Sequence, residues 1–395
     1  MSSSATVAPS RPAGTSRRPP RRGAAQERAG WLFVAPMVVV LGLFLLVPIC
    51  MAVWVSTLDW NGQGSPFAGG ADFVGLDNYA SLLTVDGLPR RDFMLSLRNT
   101  FYYVLFVVPL QTALALFLAI VVNQRYLRGR SFFRTAFYFP SVTSSVAITI
   151  VFLFMFQNSG VVNTLLGYVG ISGPQWFADP RGLFQVIASG LGLVDVSSPP
   201  ASLTGNGVMG LSWWEWLSGP SVALLAVVFL VVWTTAGTFM LMFLAVLQDI
   251  PVEVEEAARL DGVGPWQKFR FVTLPQLKPV LFLVLTLGLI GTWQVFDQVY
   301  LLGGGNPAKT TLTPAFLSYK TGFRDFAYGN GAAIAFMLFL IIIAMTLLQR
   351  YVLRDKDAIA EKRARTAQTR TTAARLAASS SGTDVTGTGA GGVGR

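Results

Sequence analysis

Histidine is absent from the 395 residues, and cysteine occurs once. The first absence removes imidazole as base, nucleophile partner or metal ligand, so Ser–His, Cys–His and His–metal chemistry have no place in this chain. The second removes any internal disulfide, and the lone Cys50 lies inside an apolar run. Charge is scarce too. Only 13% of residues are Asp, Glu, Lys or Arg, against about 25% in a soluble domain. With 52% hydrophobic residues and a mean hydropathy of +0.53, too little polar surface remains to cover a soluble core.

What is present is apolar and segmented. No charged residue occurs in 29–58, 99–124, 135–178, 216–248, 279–296 or 326–349. A membrane-spanning helix needs roughly 20 mostly apolar residues. The chain therefore reads as an all-α membrane protein with six transmembrane helices, at about 31–55, 101–122, 136–157, 221–247, 280–302 and 331–349. The first run is too long for a cleaved signal peptide and lacks an A-x-A site, so it is expected to stay as a helix.

The net charge of +10 is explained by placement rather than by nucleic acid. Of the 30 Lys and Arg residues, 23 fall in the N-terminal tail, the 123–135 loop, the 248–279 loop and the C-terminal tail; the alternate segments 56–100, 158–220 and 303–330 hold 7. The positive-inside bias then puts both termini in the cytoplasm of a cell (plasma or inner) membrane protein. The basic tails at 1–30 and 356–395 are poor in apolar residues and are expected to be disordered, attracted to membrane lipid. Between them, 31–355 forms one transmembrane domain.

Two loops interrupt that domain. The outer one, 158–220, holds the uncharged stretch Gly182–Val194, too short to span, and a Trp213-Trp214-Glu215-Trp216 cluster that reads as an interfacial aromatic belt. The cytoplasmic one, 249–279, is more informative. Pro251 suits a helix start, three Glu residues complement the dipole of the opening turns, and Gly262 permits the left-handed turn that ends it. Pro265 begins a second short helix, which Pro275 is expected to halt before span five. Five acidic residues (Asp249, Glu253, Glu255, Glu256, Asp261) argue against lipid, because the inner leaflet is negative. The bent pair reads as a docking element for a protein.

Those residues carry a resemblance. Glu256-Ala257-Ala258, Gly262 and Leu274-Pro275 resemble the EAA loop of ATP-binding-cassette importer permeases of the maltose and glycerol-phosphate type. Phe73–Tyr79, Asn99–Tyr102 and Phe296–Tyr300 with Gly303–Pro307 are similar to further segments of that family, so the match covers about 30–355. The resemblance implies a type I importer architecture, no enzymatic activity in this chain, and import of a sugar or sugar-like solute. It also implies a second homologous permease, ATPase subunits that hold ATP and Mg²⁺, and an external solute-binding protein; no cofactor is expected on this chain and no nucleic acid as partner. By position, Glu256, Ala257, Ala258, Asp261 and Gly262 would couple to the ATPase. The family usually follows its Asp-Gly with Ala, and here Val263 stands there.

Gly303–Thr310 nearly spells a P-loop, but it follows a membrane helix instead of a strand, so phosphate binding is not expected. For the solute path, Asp297 is the one charge within the six runs, and such a charge usually faces a cavity or partner. Trp293 and Gln294 precede it by four and three positions, which puts all three on one helical face as a wall for the solute. On span four, Thr234 and Thr238 share a face, with Thr235 offset; they are weaker candidates. An autonomous transporter or channel is the alternative, and it would need internal repeats or a proton relay. An intramembrane protease would need paired Asp residues or a Ser–Lys dyad within the spans, and neither occurs.

Overall fold

The computed structural model describes residues 24–353, apart from 125, 197 and 206. The expected tails at 1–30 and 356–395 lie outside the described residues, except that 24–30 already belong to the first helix. Among the described residues, five helices are long and apolar enough to cross a membrane: Glu27–Val55, Leu88–Asn123, Val222–Gln248, Pro265–Leu301 and Tyr328–Val352. The expected third span is instead a broken pair, Arg130–Val142 and Ser145–Met155, bent by 97°. Two short antiparallel hairpins, Leu58–Asp59 with Asp72–Phe73 and Gly207–Val208 with Leu211–Ser212, add small non-helical pieces.

The break in the third span has a local cause. Pro140 removes an amide from the last turn, and Thr143 and Ser144 then turn extended, with ψ 145° and 127°. The end of the first half is fastened to the fourth span. Ser141 Oγ donates to the Thr234 carbonyl at 2.7 Å and accepts from the Thr238 amide at 3.1 Å. Gly237 allows that approach, since a Cβ there would lie 2.3 Å from the Phe137 carbonyl.

Leu88–Asn123 starts well before the apolar run that begins near 101. Its charged first turns are stabilised by distant partners. Arg91 pairs with Glu215 at 3.0 Å, Asp92 with Lys309 at 2.6 Å, and the buried Arg98 donates to Ser218 Oγ and to the Gly219 carbonyl. This helix packs along Val222–Gln248. Two apolar cores are stacked on the pair. One gathers Phe93, Tyr103, Val107, Leu224, Val231, Val299 and Phe316; the other gathers Ala115, Ala119, Phe239, Phe243, Leu277 and Val284. The first helix stays exposed along its length, as expected of a segment apolar on every face that meets lipid.

Two expectations for the loops need correction. Pro275 does not halt a helix: Pro265–Lys268 runs through a π-helical turn, Phe269–Thr273, into Leu274–Trp293. The Leu274 amide reaches back five residues to the Phe269 carbonyl, and that wider turn accommodates the proline ring. The tryptophan cluster is only partly a belt. Trp213–Leu217 is a short helix closed by reciprocal Ser212–Glu215 hydrogen bonds, and Trp216 packs against the core while its Nε1 donates to the Val208 carbonyl at 3.1 Å. Gly182–Val194 contains the short helix Leu183–Gly190.

Candidate functional site: a polar cavity and an exposed elbow

The helix Leu274–Trp293 ends where the sequence pattern runs on. Gln294 caps it, Phe296 leaves the helical path at φ −134° and ψ −58°, and Asp297 opens a separate helix, Asp297–Leu301. A distant side chain stabilises the gap: Thr313 Oγ1 donates to the Val295 carbonyl at 3.1 Å. The interruption opens a cavity of about 270 Å³ against the central helix pair.

Gln294 and Asp297 line this cavity, together with Tyr103, Gln111, Thr235, Phe296 and Gln298. The single-face expectation for Trp293, Gln294 and Asp297 is corrected by the break. Trp293 is 3% exposed and turns the other way, into a cluster with Val104, Val108, Leu338 and Ile342. Thr234 and Thr238 do not line the cavity either, because their turn of helix is engaged by Ser141. It is Thr235, the offset member, that faces it.

Gln111 and Tyr103 escaped the sequence reading, although Gln111 is the one amide in the 101–122 run. Gln111 is 1% exposed, and its Oε1 accepts from Thr235 Oγ1 at 2.7 Å. Its Nε2 is buried and unpartnered, and so is the Tyr103 hydroxyl. Thr235 also contacts the Val231 carbonyl at 2.7 Å, and its single proton serves only one of these bonds. Whichever way round the amide is assigned, one end of it stays unpaired. Gly288 makes room for it, since a Cβ there would stand 2.5 Å from Gln111 Nε2. Beside a cavity, a buried amide and hydroxyl without partners are groups that a small shift of the wall would bring to a polar solute.

Beyond the far end of the same helix lies the elbow. Val252–Leu260 ends in a left-handed Gly262 at φ +68°. The Val263 amide donates to the Ala258 carbonyl at 3.2 Å, the closure of a Schellman turn. The next helix opens at Pro265, where Gln267 Oε1 accepts from the Gly264 amide at 3.2 Å. Ala258 is buried, whereas Glu256, Ala257, Asp261 and Gly262 are exposed. Glu253, Val254, Ala257 and Asp261 edge a shallow concavity of about 420 Å³. Leu260, Trp266 and Phe271 stand out at 89%, 72% and 72% exposure.

The glycine-rich segment after the fifth span is a turn. Gly303, Gly304 and Gly305 take φ of 122°, 62° and 96°. Asn99 Nδ2 donates to the Lys309 and Leu312 carbonyls at 2.8 and 3.1 Å, and Lys309 Nζ pairs with Asp92. Its lysine thus serves to anchor the turn.

Comparison with known proteins agrees with this architecture. The family model described as "Binding-protein-dependent transport system inner membrane component" matches residues 111–357. The lactose transport system permease protein LacF of Rhizobium radiobacter is 32% identical over 330 residues, 83% of this chain and 94% of that protein. The trehalose/maltose transport system permease protein MalF of Thermococcus litoralis is 29% identical over 323 residues, 82% of this chain and 92% of that one. Among solved structures, a bacterial ABC transporter involved in the import of the acidic polysaccharide alginate shares the fold. Its TM-score is 0.61 at 20% identity, covering 84% of this chain and 97% of that one. The chain belongs to the family of binding-protein-dependent transport system inner membrane components and is a permease subunit of an ATP-binding-cassette transporter.

Proposed function

We propose that this permease subunit forms the path for uptake of a sugar and couples it to ATP hydrolysis on a separate subunit. One observation carries the reading: a polar cavity and an exposed acidic elbow sit at opposite ends of one helical run, Pro265–Trp293. Amides, hydroxyls and a carboxylate match sugar hydroxyls, and the Phe296 ring offers an apolar face to ring C–H groups. The lactose and trehalose/maltose relatives support sugar as the solute class.

In this reading the chain makes six spans, the bent pair counting as one, with both termini and the elbow cytoplasmic, where basic residues concentrate. Glu256, Ala257, Ala258, Asp261 and Gly262 form the seat for the ATPase, which holds ATP and Mg²⁺; the chain itself binds no cofactor. A second homologous permease completes the path, and an external solute-binding protein docks over 158–220. The alginate transporter solved with its pentasaccharide-bound periplasmic protein supports such a partner.

Reconstitution tests the proposal. Vesicles holding both permeases and the ATPase, supplied with the binding protein and ATP, are expected to accumulate radiolabelled lactose or trehalose, and vesicles holding this chain alone are not. Gradient-driven uptake by the chain alone would overturn the coupling role.

A further inference from the structure

The cavity carries a charge asymmetry that bears on which sugars pass. Among the described residues lining it, Asp297 alone is charged; Gln111, Thr235, Gln294 and Gln298 are neutral, and no Lys or Arg takes part. Asp297 is exposed and forms no ion pair or hydrogen bond with a described residue. Arg324 stacks on the rings of Tyr300 and Tyr319, outside the lining. Gln111 and Tyr103, whose amide nitrogen and hydroxyl are buried without a partner, also belong to the lining and are neutral.

Resting on the sugar reading above, we infer that the cavity selects uncharged sugars and that the Asp297 carboxylate rejects acidic ones. Two like unit charges about 5 Å apart, in surroundings of effective dielectric near 20, repel strongly enough to weaken binding about 200-fold. A neutral hydroxyl meets no such cost. The cavity volume of about 270 Å³ lies just under the range of roughly 300–1,000 Å³ usual for small-molecule sites, so only a short stretch of solute faces Asp297 at a time. Uronates, with a carboxylate on each ring, then bring a negative charge to it at every step. The alginate importer has the same fold at 20% identity, so fold does not fix solute charge.

The test uses the assembled permease–ATPase complex, nucleotide-free and without the binding protein, so that the cavity's own preference is read. Equilibrium dialysis compares lactose, trehalose and maltotriose with trigalacturonate and a glucuronate disaccharide. At least one neutral sugar is expected to bind about 30-fold or more tighter than either uronate. Asp297→Asn, nearly isosteric, should shrink that ratio about 30-fold or more, to near unity, by admitting the uronates, and Gln294→Glu should widen it severalfold. A merely structural role would shift both sugar classes together. A wild-type complex that prefers uronates, or variants that leave the ratio unchanged, would overturn the inference while the sugar reading stands. If no probe of either charge binds, the sugar reading falls, and the inference with it.

Discussion

The two ends of the Pro265–Leu301 segment are held in opposite ways. Beyond its Leu301 end, the glycine turn is clasped by Asn99 on two carbonyls and by Asp92 on Lys309, while Arg98 grips Ser218 and Gly219 close by in sequence. At its Pro265 end, Glu256 and Ala257 face outward and three large apolar side chains stand exposed. The clasped end is completed by the chain itself. The open end presents surface that the described residues leave uncovered.

Charge reversal at the open end is the strongest way to break this contrast. Glu256→Lys should reduce ATPase attachment and cut ATP-driven uptake at least about tenfold, the effect of losing an interface hot spot of about 2 kcal/mol. The unfolding temperature should hardly move, because an exposed surface substitution usually changes stability by about 0.5 kcal/mol or less. Full attachment and full uptake together would contradict the assignment. At the clasped end the signs reverse. Arg98→Ala leaves buried Ser218 and Gly219 groups without their charged donor and should cost about 2–4 kcal/mol. A thermal melt should fall by several degrees while ATPase attachment persists; an unmoved melting temperature would mean the clasp is idle. Lys309→Met should have the smallest effect. Its ion pair is half-exposed and worth about 1 kcal/mol or less. Nucleotide retention by the isolated chain, read by filter binding, should be the same for variant and wild type.

The same contrast explains what was legible in the sequence. The elbow was written locally, in Pro251, Gly262 and Pro265, because each fixes its own backbone. The apolar runs likewise announced their helices. The early start at Leu88 was not legible, because Arg91, Asp92 and Arg98 find partners more than a hundred positions away. The break after Trp293 lacks glycine and proline, and it is stabilised by Thr313 from eighteen positions on. A pattern reading therefore carries the helix through and puts Trp293 in the wrong company. Gln111 was visible as a lone amide, but its value depends on Thr235 and Gly288, which only packing brings to it.

From Pro265 to Trp293 the backbone coils without a loop, its one irregularity being the widened turn at Phe269–Thr273. At 1.5 Å per residue this is a rod of roughly 40 Å. Tilting it by about 10° at the foot would sweep the Gln294 tip through roughly 7 Å, a distance on the scale of one sugar ring. In the coupling role proposed above, a motor gripping the foot would need only a slight angular stroke, for the leverage is already in the rod.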